Sequence, residues 1–272
     1  LKELKSLENI SMLENIRFYK GEKQNEDNLS QALAETADVF VMDAFGTAHR
    51  KQASTYGVTE FVKEACVGLL VEEELMALKK IIDSPEKPLL GIIGGSKIST
   101  KMKILKSLTN HVDQLIIGGA LANTCFKALG KNIGKSLYEE AYVDLAKTII
   151  EDKKILLPSY VVVTKGRDSN SQEKHIDEVE DDDIIFDIGQ SAIEDFSSYI
   201  NSAKTIIWNG PMGYFEEERF AKGTAGIALK ISESSGYSII GGGETLASFS
   251  NLNMMDCVCL LYTSPSPRDL SE

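Results

Sequence analysis

The sequence repeats one pattern along its length: a short apolar run rich in β-branched residues, then glycine, then a stretch with helical spacing. The five runs are Val39–Met42, Leu89–Ile93, Leu115–Ile117, Thr205–Trp208 and Tyr237–Ile240. Apolar runs of this length, bounded by glycine, are typical of strands that are buried on both faces of a parallel sheet. Strands that alternate with helices predict an α/β fold with doubly wound parallel sheets.

Length and a pair of prolines predict two lobes. At ~150 residues per domain, 272 residues are enough for one large or two modest domains. A helical pattern over Glu72–Ile82 is followed by Pro85 and Pro88, which end a helix and mark a junction. We expect a partial first lobe over residues 1–68, a linking helix and hinge over 69–88, and a second lobe over 89–256. Residues 257–272 lack periodicity and contain two Ser-Pro pairs, so we expect an aberrant tail there.

Charge and hydropathy narrow the class of partner. The chain carries 29 Lys and Arg against 41 Asp and Glu, a net charge of −12. This balance argues against nucleic acid and against anionic membranes, since both require clustered basic residues. No apolar run approaches the ~18 residues of a membrane span, and no signal-peptide pattern is found. The four scattered cysteines favour a reducing compartment, so we expect a soluble, cytoplasmic protein.

The glycine-rich turns that follow the strands are candidate phosphate sites. In an open α/β sheet the ligand binds where the strands end, and a helix that begins there offers free N–H groups. Lys97 follows Gly94-Gly95-Ser96, and Lys101 lies one helical turn further on the same face. The alternative is a helix with two solvated lysines. The motif is not a Walker A loop, and no Gly-x-Gly-x-x-Gly occurs, which argues against a dinucleotide-binding dehydrogenase.

Two later turns carry acidic residues. Asn209–Glu216 is a rigid turn, and Glu216 suits a ribose hydroxyl, although an exposed surface glutamate is the alternative. In Gly241–Thr245 the hydroxyl of Thr245 suits a helix cap or a phosphate, and Glu244 suits Mg²⁺. The acidic run Asp177–Asp183 favours a solvated turn over a metal site.

Two arginines in the first lobe are candidate anion ligands. Arg17 follows Leu13–Ile16, and Arg50 closes the segment Asp43–His49. A guanidinium group binds carboxylate or phosphate through two parallel hydrogen bonds, but a surface charge is an equally good interpretation of either residue alone.

Taken together, these stretches resemble phosphoglycerate kinase. The resemblance extends in order from about Ser11 to about Asn251, which is most of the chain. A set of motifs in a consistent order is far more specific than any single motif. The matching stretches are Leu13–Phe18, Asp43–Arg50, Gly94–Lys101, Trp208–Gly213, Phe215–Glu216, Phe220–Thr224 and Gly241–Thr245.

The resemblance implies a two-lobed glycolytic kinase that moves a phosphoryl group between 1,3-bisphosphoglycerate and ADP, giving 3-phosphoglycerate and ATP. It implies that Arg17 and Arg50 bind the glycerate, and that Lys97, Lys101 and Arg17 act in catalysis. Mg²⁺ would enter with the nucleotide and contact Glu244, in a protein expected to be a monomer. The implied nucleotide-binding residues are Gly95, Lys97, Lys101, Gly119, Asn209, Pro211, Gly213, Glu216, Gly242, Gly243, Glu244 and Thr245.

Some departures from the family pattern bear on activity. Glu244 stands where the family usually has Asp, and Tyr214 where a smaller aliphatic residue is common. The N-terminal sheet segment and the closing Thr-Gly-Gly-Gly loop of the family have no counterpart, so we expect an incomplete first lobe and an inactive fragment. The alternative is a nucleotide-binding module without turnover. An NAD-dependent dehydrogenase fits the fold class but lacks the glycine fingerprint.

Overall fold

The computed structural model describes residues 3–7, 10–96, 98–166, 169–242 and 260–262, with the single residues 245, 247 and 249. These residues form two compact units, one up to Lys80 and one from Ile81 onward. Among them, no helix combines the length and the apolar character needed to cross a membrane.

The first unit contains two small sheets and several short helices. One sheet is an antiparallel pair of strands, and the other is a parallel pair. The antiparallel strands are β1 (Glu3–Leu7) and β2 (Ile10–Leu13), and the parallel strands are β3 (Val39–Met42) and β4 (Glu64–Val67). The helices are α1 (Gly21–Gln24), α2 (Asp27–Ala34), α3 (Phe45–Ala48) and α4 (Val58–Phe61), followed by α5 (Leu69–Asp83), whose last three residues belong to the second unit.

The first predicted strand exists, but its predicted burial is wrong. β3 spans Val39–Met42 as expected, yet the side chains of Val39 and Val41 are 44% and 52% exposed. The physical reason is that β3 belongs to a sheet of two strands, and the partner β4 is exposed at all four positions. Such a pair buries little apolar surface, so an apolar run alone did not determine burial here.

Helix α5 confirms the helix expected around Glu72–Ile82 and carries a buried acid. The side chain of Glu74 is only 3% exposed, and its Oε2 atom has no hydrogen-bond partner within the described part of the chain. Burial raises the pKa of Glu74, and the neighbouring charges of Asp43 and Glu73 raise it further. Asp43 is held nearby because its Oδ1 accepts a hydrogen bond from Val71 N at 3.0 Å.

We expect Glu74→Gln to raise the free energy of unfolding at pH 7.5 by about 1 kcal/mol, because it removes an uncompensated buried charge. The folded-state pKa of Glu74 lies above the unfolded value, so the destabilisation is absent below the unfolded pKa and grows as pH rises through the folded pKa. Urea unfolding at pH 5 and pH 7.5 measures this. Glu72→Gln, at an exposed position on the same helix, is the control. A difference between variant and parent that does not change with pH would contradict the prediction.

The second unit is built on six parallel strands in the order β13-β12-β11-β5-β6-β7. The strands are β5 (Leu89–Ile93), β6 (Gln114–Ile117), β7 (Ile155–Leu156), β11 (Thr205–Asn209), β12 (Tyr237–Gly241) and β13 (Leu260–Tyr262). The helices are α6 (Ile98–His111), α7 (Gly119–Ala128), α8 (Val143–Ile150), α9 (Gln190–Ser202) and α10 (Lys222–Glu233). A smaller antiparallel sheet has β8 (Tyr160–Thr164) between β9 (Gln172–His175) and β10 (Ile184–Ile188).

The central strand β5 is buried on both faces, as its apolar run predicts. Leu89 and Ile93 pack in one cluster with residues of α6, α7 and α8. Leu90 and Ile92 point to the opposite face and pack with residues of α9 and α10. Helices therefore cover both faces of a parallel sheet, which is the α/β architecture that the sequence predicts.

Two features of this unit were not predicted. Leu260–Tyr262, within the segment expected to be an aberrant tail, form the edge strand β13 beside β12. The acidic run ends in Asp183, which is fully buried rather than solvated. Its Oδ2 accepts hydrogen bonds from Lys174 Nζ at 2.7 Å and from Glu180 N at 2.8 Å, which offset the cost of burying the charge.

Candidate functional site

Three turns at the carboxyl ends of neighbouring parallel strands are joined by backbone hydrogen bonds. At the end of β5, Gly94 N donates to Asn209 O at 3.0 Å, and Gly95 N donates to Pro211 O at 2.8 Å. At the end of β6, Gly119 N donates to Met212 O at 2.8 Å. The turns after β5, β6 and β11 therefore form one rigid unit at the edge of the sheet where α/β proteins bind ligands.

Gly210 is required by this arrangement. Its φ of +94° lies in a region that residues with a side chain rarely adopt. A Cβ atom on Gly210 would lie 2.3 Å from the carbonyl oxygen of Gly94. The glycine thus permits both the reversal of the chain after β11 and its close approach to the turn after β5.

Beside these turns lies a cavity of about 260 Å³ with a mainly apolar lining. A few polar groups in an apolar, concave wall are typical of sites for small organic ligands. The lining residues come from the turns, from α7 and from β8 and β10. They include Gly95, Gly119, Asn123, Phe126, Leu137, Val161, Ile185, Phe186, Asp187, Pro211, Met212, Gly213, Tyr214, Phe215 and Glu216.

Lys101 lies where α6 passes the end of β11. Its side chain is half-buried, and its Nζ donates a hydrogen bond to the Asn209 side-chain oxygen. The ammonium group therefore lies beside the turns that border the cavity. The predicted catalytic residue Lys97 lies outside the described residues.

The start of α6 is held by an acid that sequence reasoning missed. Glu139 accepts hydrogen bonds from Ser99 N at 2.9 Å and from Ser99 Oγ at 2.6 Å. The backbone N–H of Glu139 donates to the hydroxyl of Thr124 on α7 at 3.1 Å. A carboxylate at a helix N-terminus is favourable, and here it also links α6 to α7. Because Glu139 lies 40 residues after Ser99, no local motif indicates this contact.

The turn after β12 is tied to the turn after β11 through Thr245. The Thr245 hydroxyl is buried, donates to Gly241 O at 3.0 Å and accepts from Gly210 N at 2.7 Å. Gly242, the next residue after Gly241, has a φ of +98°. The other two residues predicted in this turn, Gly243 and Glu244, lie outside the described residues.

Glu216 lines the cavity from an exposed position on the segment after β11. Tyr214, two residues earlier, is also part of the lining, and its ring lies 5.9 Å from the ring of Phe186. The structure thus places the predicted residues Gly95, Gly119, Pro211, Gly213 and Glu216 around one cavity.

Asp187 is a buried acid in the lining, and sequence reasoning missed it as well. It accepts hydrogen bonds from Gly223 N at 2.6 Å and from Ile188 N at 2.9 Å. Burial raises the pKa of Asp187 to about 8. Its carboxyl group packs against Gly213, where a Cβ atom would lie 2.1 Å from Asp187 Oδ1. Asp187 therefore connects the start of α10 to the turn that borders the cavity.

The two predicted arginines belong to the first unit. Arg17 lies in a 3-10 turn over Ile16–Phe18, and its backbone N–H donates to Asn15 Oδ1 at 3.0 Å. Arg50 follows α3, and its N–H donates to Thr47 O at 2.9 Å. Both side chains are half-buried.

Comparisons with known proteins agree on one family. The family profile described as phosphoglycerate kinase matches residues 2–265. A curated phosphoglycerate kinase from Vibrio campbellii is 47% identical over 256 residues, which are 93% of this chain and 66% of the relative. The chain thus spans about two thirds of the length of this relative.

Two solved structures of phosphoglycerate kinases are also similar to this chain. The phosphoglycerate kinase from Coxiella burnetii is 43% identical, with a TM-score of 0.84, over 93% of this chain and 67% of that protein. The enzyme from Pyrococcus horikoshii is 27% identical, with a TM-score of 0.81, over 92% of this chain and 66% of that one.

Proposed function

Because this chain belongs to the phosphoglycerate kinase family, we propose that it supplies the nucleotide-binding part of a glycolytic kinase. The proposed reaction moves a phosphoryl group between 1,3-bisphosphoglycerate and ADP, giving 3-phosphoglycerate and ATP. The observation that carries the proposal is the mainly apolar cavity bordered by the turns after β5, β6 and β11, with Lys101 bonded to Asn209 at the end of β11.

The turns bind the phosphates in this proposal. The glycines Gly95, Gly119, Gly242 and Gly243 carry no side chain, so an anion can approach the backbone of these turns closely, and Lys97 and Lys101 neutralise its charge. Asn209 orients Lys101 through the side-chain hydrogen bond. Thr245 contributes by holding the turns together, because its hydroxyl hydrogen is directed at Gly241 O.

The cavity takes the base and the ribose. A flat aromatic base suits a mainly apolar wall that contains Phe126, Phe186 and Tyr214. Pro211 and Gly213 shape one side, and the exposed carboxylate of Glu216 accepts hydrogen bonds from the ribose hydroxyls.

Magnesium accompanies the nucleotide in this family, and Mg²⁺ prefers oxygen ligands. In this chain Glu244 is the proposed protein ligand, although it lies outside the described residues. When bound, the ion would neutralise phosphate charge that the two lysines leave uncompensated.

Phosphoryl transfer depends on positioning both substrates and on stabilising charge on the transferred group. We assign that charge stabilisation to Lys97, Lys101 and Arg17, and glycerate binding to Arg17 and Arg50. We propose that the 272 residues by themselves bind nucleotide without measurable turnover. The protein is proposed to act as a cytoplasmic monomer without nucleic acid or membrane partners, in agreement with its net charge of −12.

Calorimetry with MgADP and a coupled assay with 1,3-bisphosphoglycerate test the proposal on the same preparation. We expect MgADP binding without turnover, and we expect Glu216→Ala to weaken binding ~10-fold through loss of ribose hydrogen bonds. Glu218→Ala is a matched control, since Glu218 is exposed and lies outside the lining. Absence of MgADP binding would contradict the nucleotide site, and measurable turnover would contradict the inactive-fragment proposal.

A further inference from the structure

Glu139 connects the two helices that follow the turns after β5 and β6. Its carboxylate accepts hydrogen bonds from the backbone N–H and the hydroxyl of Ser99 on α6, and its own N–H donates to Thr124 Oγ1 on α7. Thr124 is buried and Glu139 is half-buried. Glu139 therefore fixes the first turn of α6 against α7.

The helical turn that Glu139 holds carries Lys101, two residues after Ser99. A Cβ atom on Gly95 would lie 3.6 Å from Lys101 Cε, so the lysine stem passes along the turn after β5. The ammonium group then reaches the side-chain oxygen of Asn209 at the end of β11. A shift in the first turn of α6 would therefore move this ammonium group relative to the turns that border the cavity.

The carboxylate of Glu139 also occupies a donor at the start of α6. Ser99 is the second residue of this helix, and its N–H is one of those that the helix itself leaves unpaired. Because this N–H is bonded to Glu139 Oε2, it is not available to a phosphate, and the negative charge of Glu139 opposes one. Glu139 can thus favour phosphate binding only through geometry, by holding Lys101 in place.

We propose that Glu139 is a positioning residue for phosphate binding, which acts through Lys101 by fixing the first turn of α6 against α7. The inference rests on the proposed nucleotide site. Charge and position have opposite consequences when Glu139 is replaced. Loss of the negative charge alone would strengthen phosphate binding, whereas loss of the hydrogen bonds would displace Lys101 and weaken it.

Calorimetry with MgADP and with adenosine, which lacks the phosphates, tests the inference on the 272-residue chain. The ratio of the adenosine to the MgADP dissociation constant measures the contribution of the phosphates. We expect Glu139→Ala to lower this ratio ~10-fold with adenosine affinity unchanged, because only the phosphate contacts are displaced. Glu139→Gln should leave the ratio at or above the parent value, since its amide can accept from Ser99 N and donate to Ser99 Oγ. Glu140→Ala, at the adjacent exposed position, is the control and should keep the parent ratio.

A second comparison tests whether the effect passes through Lys101. In a Lys101→Ala chain, Glu139→Ala should lower the ratio no further, because the group that it displaces is already absent. Ser99→Ala removes one of the two hydrogen bonds to the carboxylate, so by itself it should lower the ratio ~3-fold. This variant decides the inference if Glu139→Ala does not fold.

Three results would overturn the inference while leaving the nucleotide site intact. The first is a parental ratio in Glu139→Ala or, where that chain does not fold, in Ser99→Ala. The second is an equal loss in Glu139→Ala and Glu139→Gln, and the third is a full effect of Glu139→Ala in the Lys101→Ala chain. Failure of the parent chain to bind MgADP would overturn the proposed nucleotide site together with the inference.

Discussion

Alanine in place of Gly94 is expected to weaken MgADP binding ~100-fold and to lower the stability of the second unit. A Cβ atom at this position would lie 2.0 Å from Pro211 O and 2.7 Å from Gly210 O. Both contacts are backbone atoms in the turn that borders the cavity, so the turn itself must shift. Displacements of about 1 Å can cost two orders of magnitude in function, and overpacking typically costs about 1–3 kcal/mol.

Calorimetry and urea unfolding measure the two effects. Gly166→Ala is a suitable control, because among the described residues a Cβ atom there meets a single atom, Ser169 Oγ, at 3.8 Å. That distance is ordinary van der Waals contact, so the control should bind MgADP like the parent. A Gly94→Ala chain with parental affinity would show that the joined turns do not shape the nucleotide site.

Trp208→Ala is expected to reduce the free energy of unfolding by about 3–5 kcal/mol, the usual cost of truncating a large buried aromatic residue. The Trp208 side chain is fully buried, and its ring lies 5.3 Å from the ring of Phe249 in an edge-to-face contact. Its Nε1 donates to Gly210 O at 2.8 Å. Truncation thus creates a cavity and also releases the turn that Gly210 forms.

Two other variants separate these contributions. Trp208→Phe keeps most of the volume but loses the hydrogen bond, so we expect a smaller loss of about 1 kcal/mol, measured by urea unfolding. Tyr199→Ala removes an aromatic ring that is 37% exposed and should cost less than Trp208→Ala. If all three variants unfold at the same urea concentration as the parent, the assignment of Trp208 to the core is wrong.

Much of the fold could be predicted from local patterns. All five apolar runs are strands, and the helical pattern after β4 is part of α5. The prediction succeeded because strand and helix periodicity reflect which side chains alternate between faces, a property of neighbouring residues. It failed for the burial of Val39 and Val41, because burial depends on what packs against a strand.

The site was predictable only in part. The glycine-rich turns indicated that Gly95, Gly119 and Gly213 lie where a ligand binds, and the structure places all three in the lining of one cavity. The roles assigned to them, and to Lys97 and Glu244, remain predictions. Asn123 and Asp187 were not predicted, because a single Asn in a helix or Asp in a strand carries no recognisable motif.

The sequence by itself determined the α/β class, the positions of the main strands and the family, since these follow from short-range periodicity and from ordered motifs. Only the tertiary structure decided which polar groups are paired. Glu139 meets Ser99 across 40 residues, and Asp187 meets Gly223 across 36. The side-chain amide of Asn123 meets Leu137 O across 14 residues. Such pairings depend on how distant segments pack. They matter for the stability of the fold because a buried polar group without a partner is unfavourable.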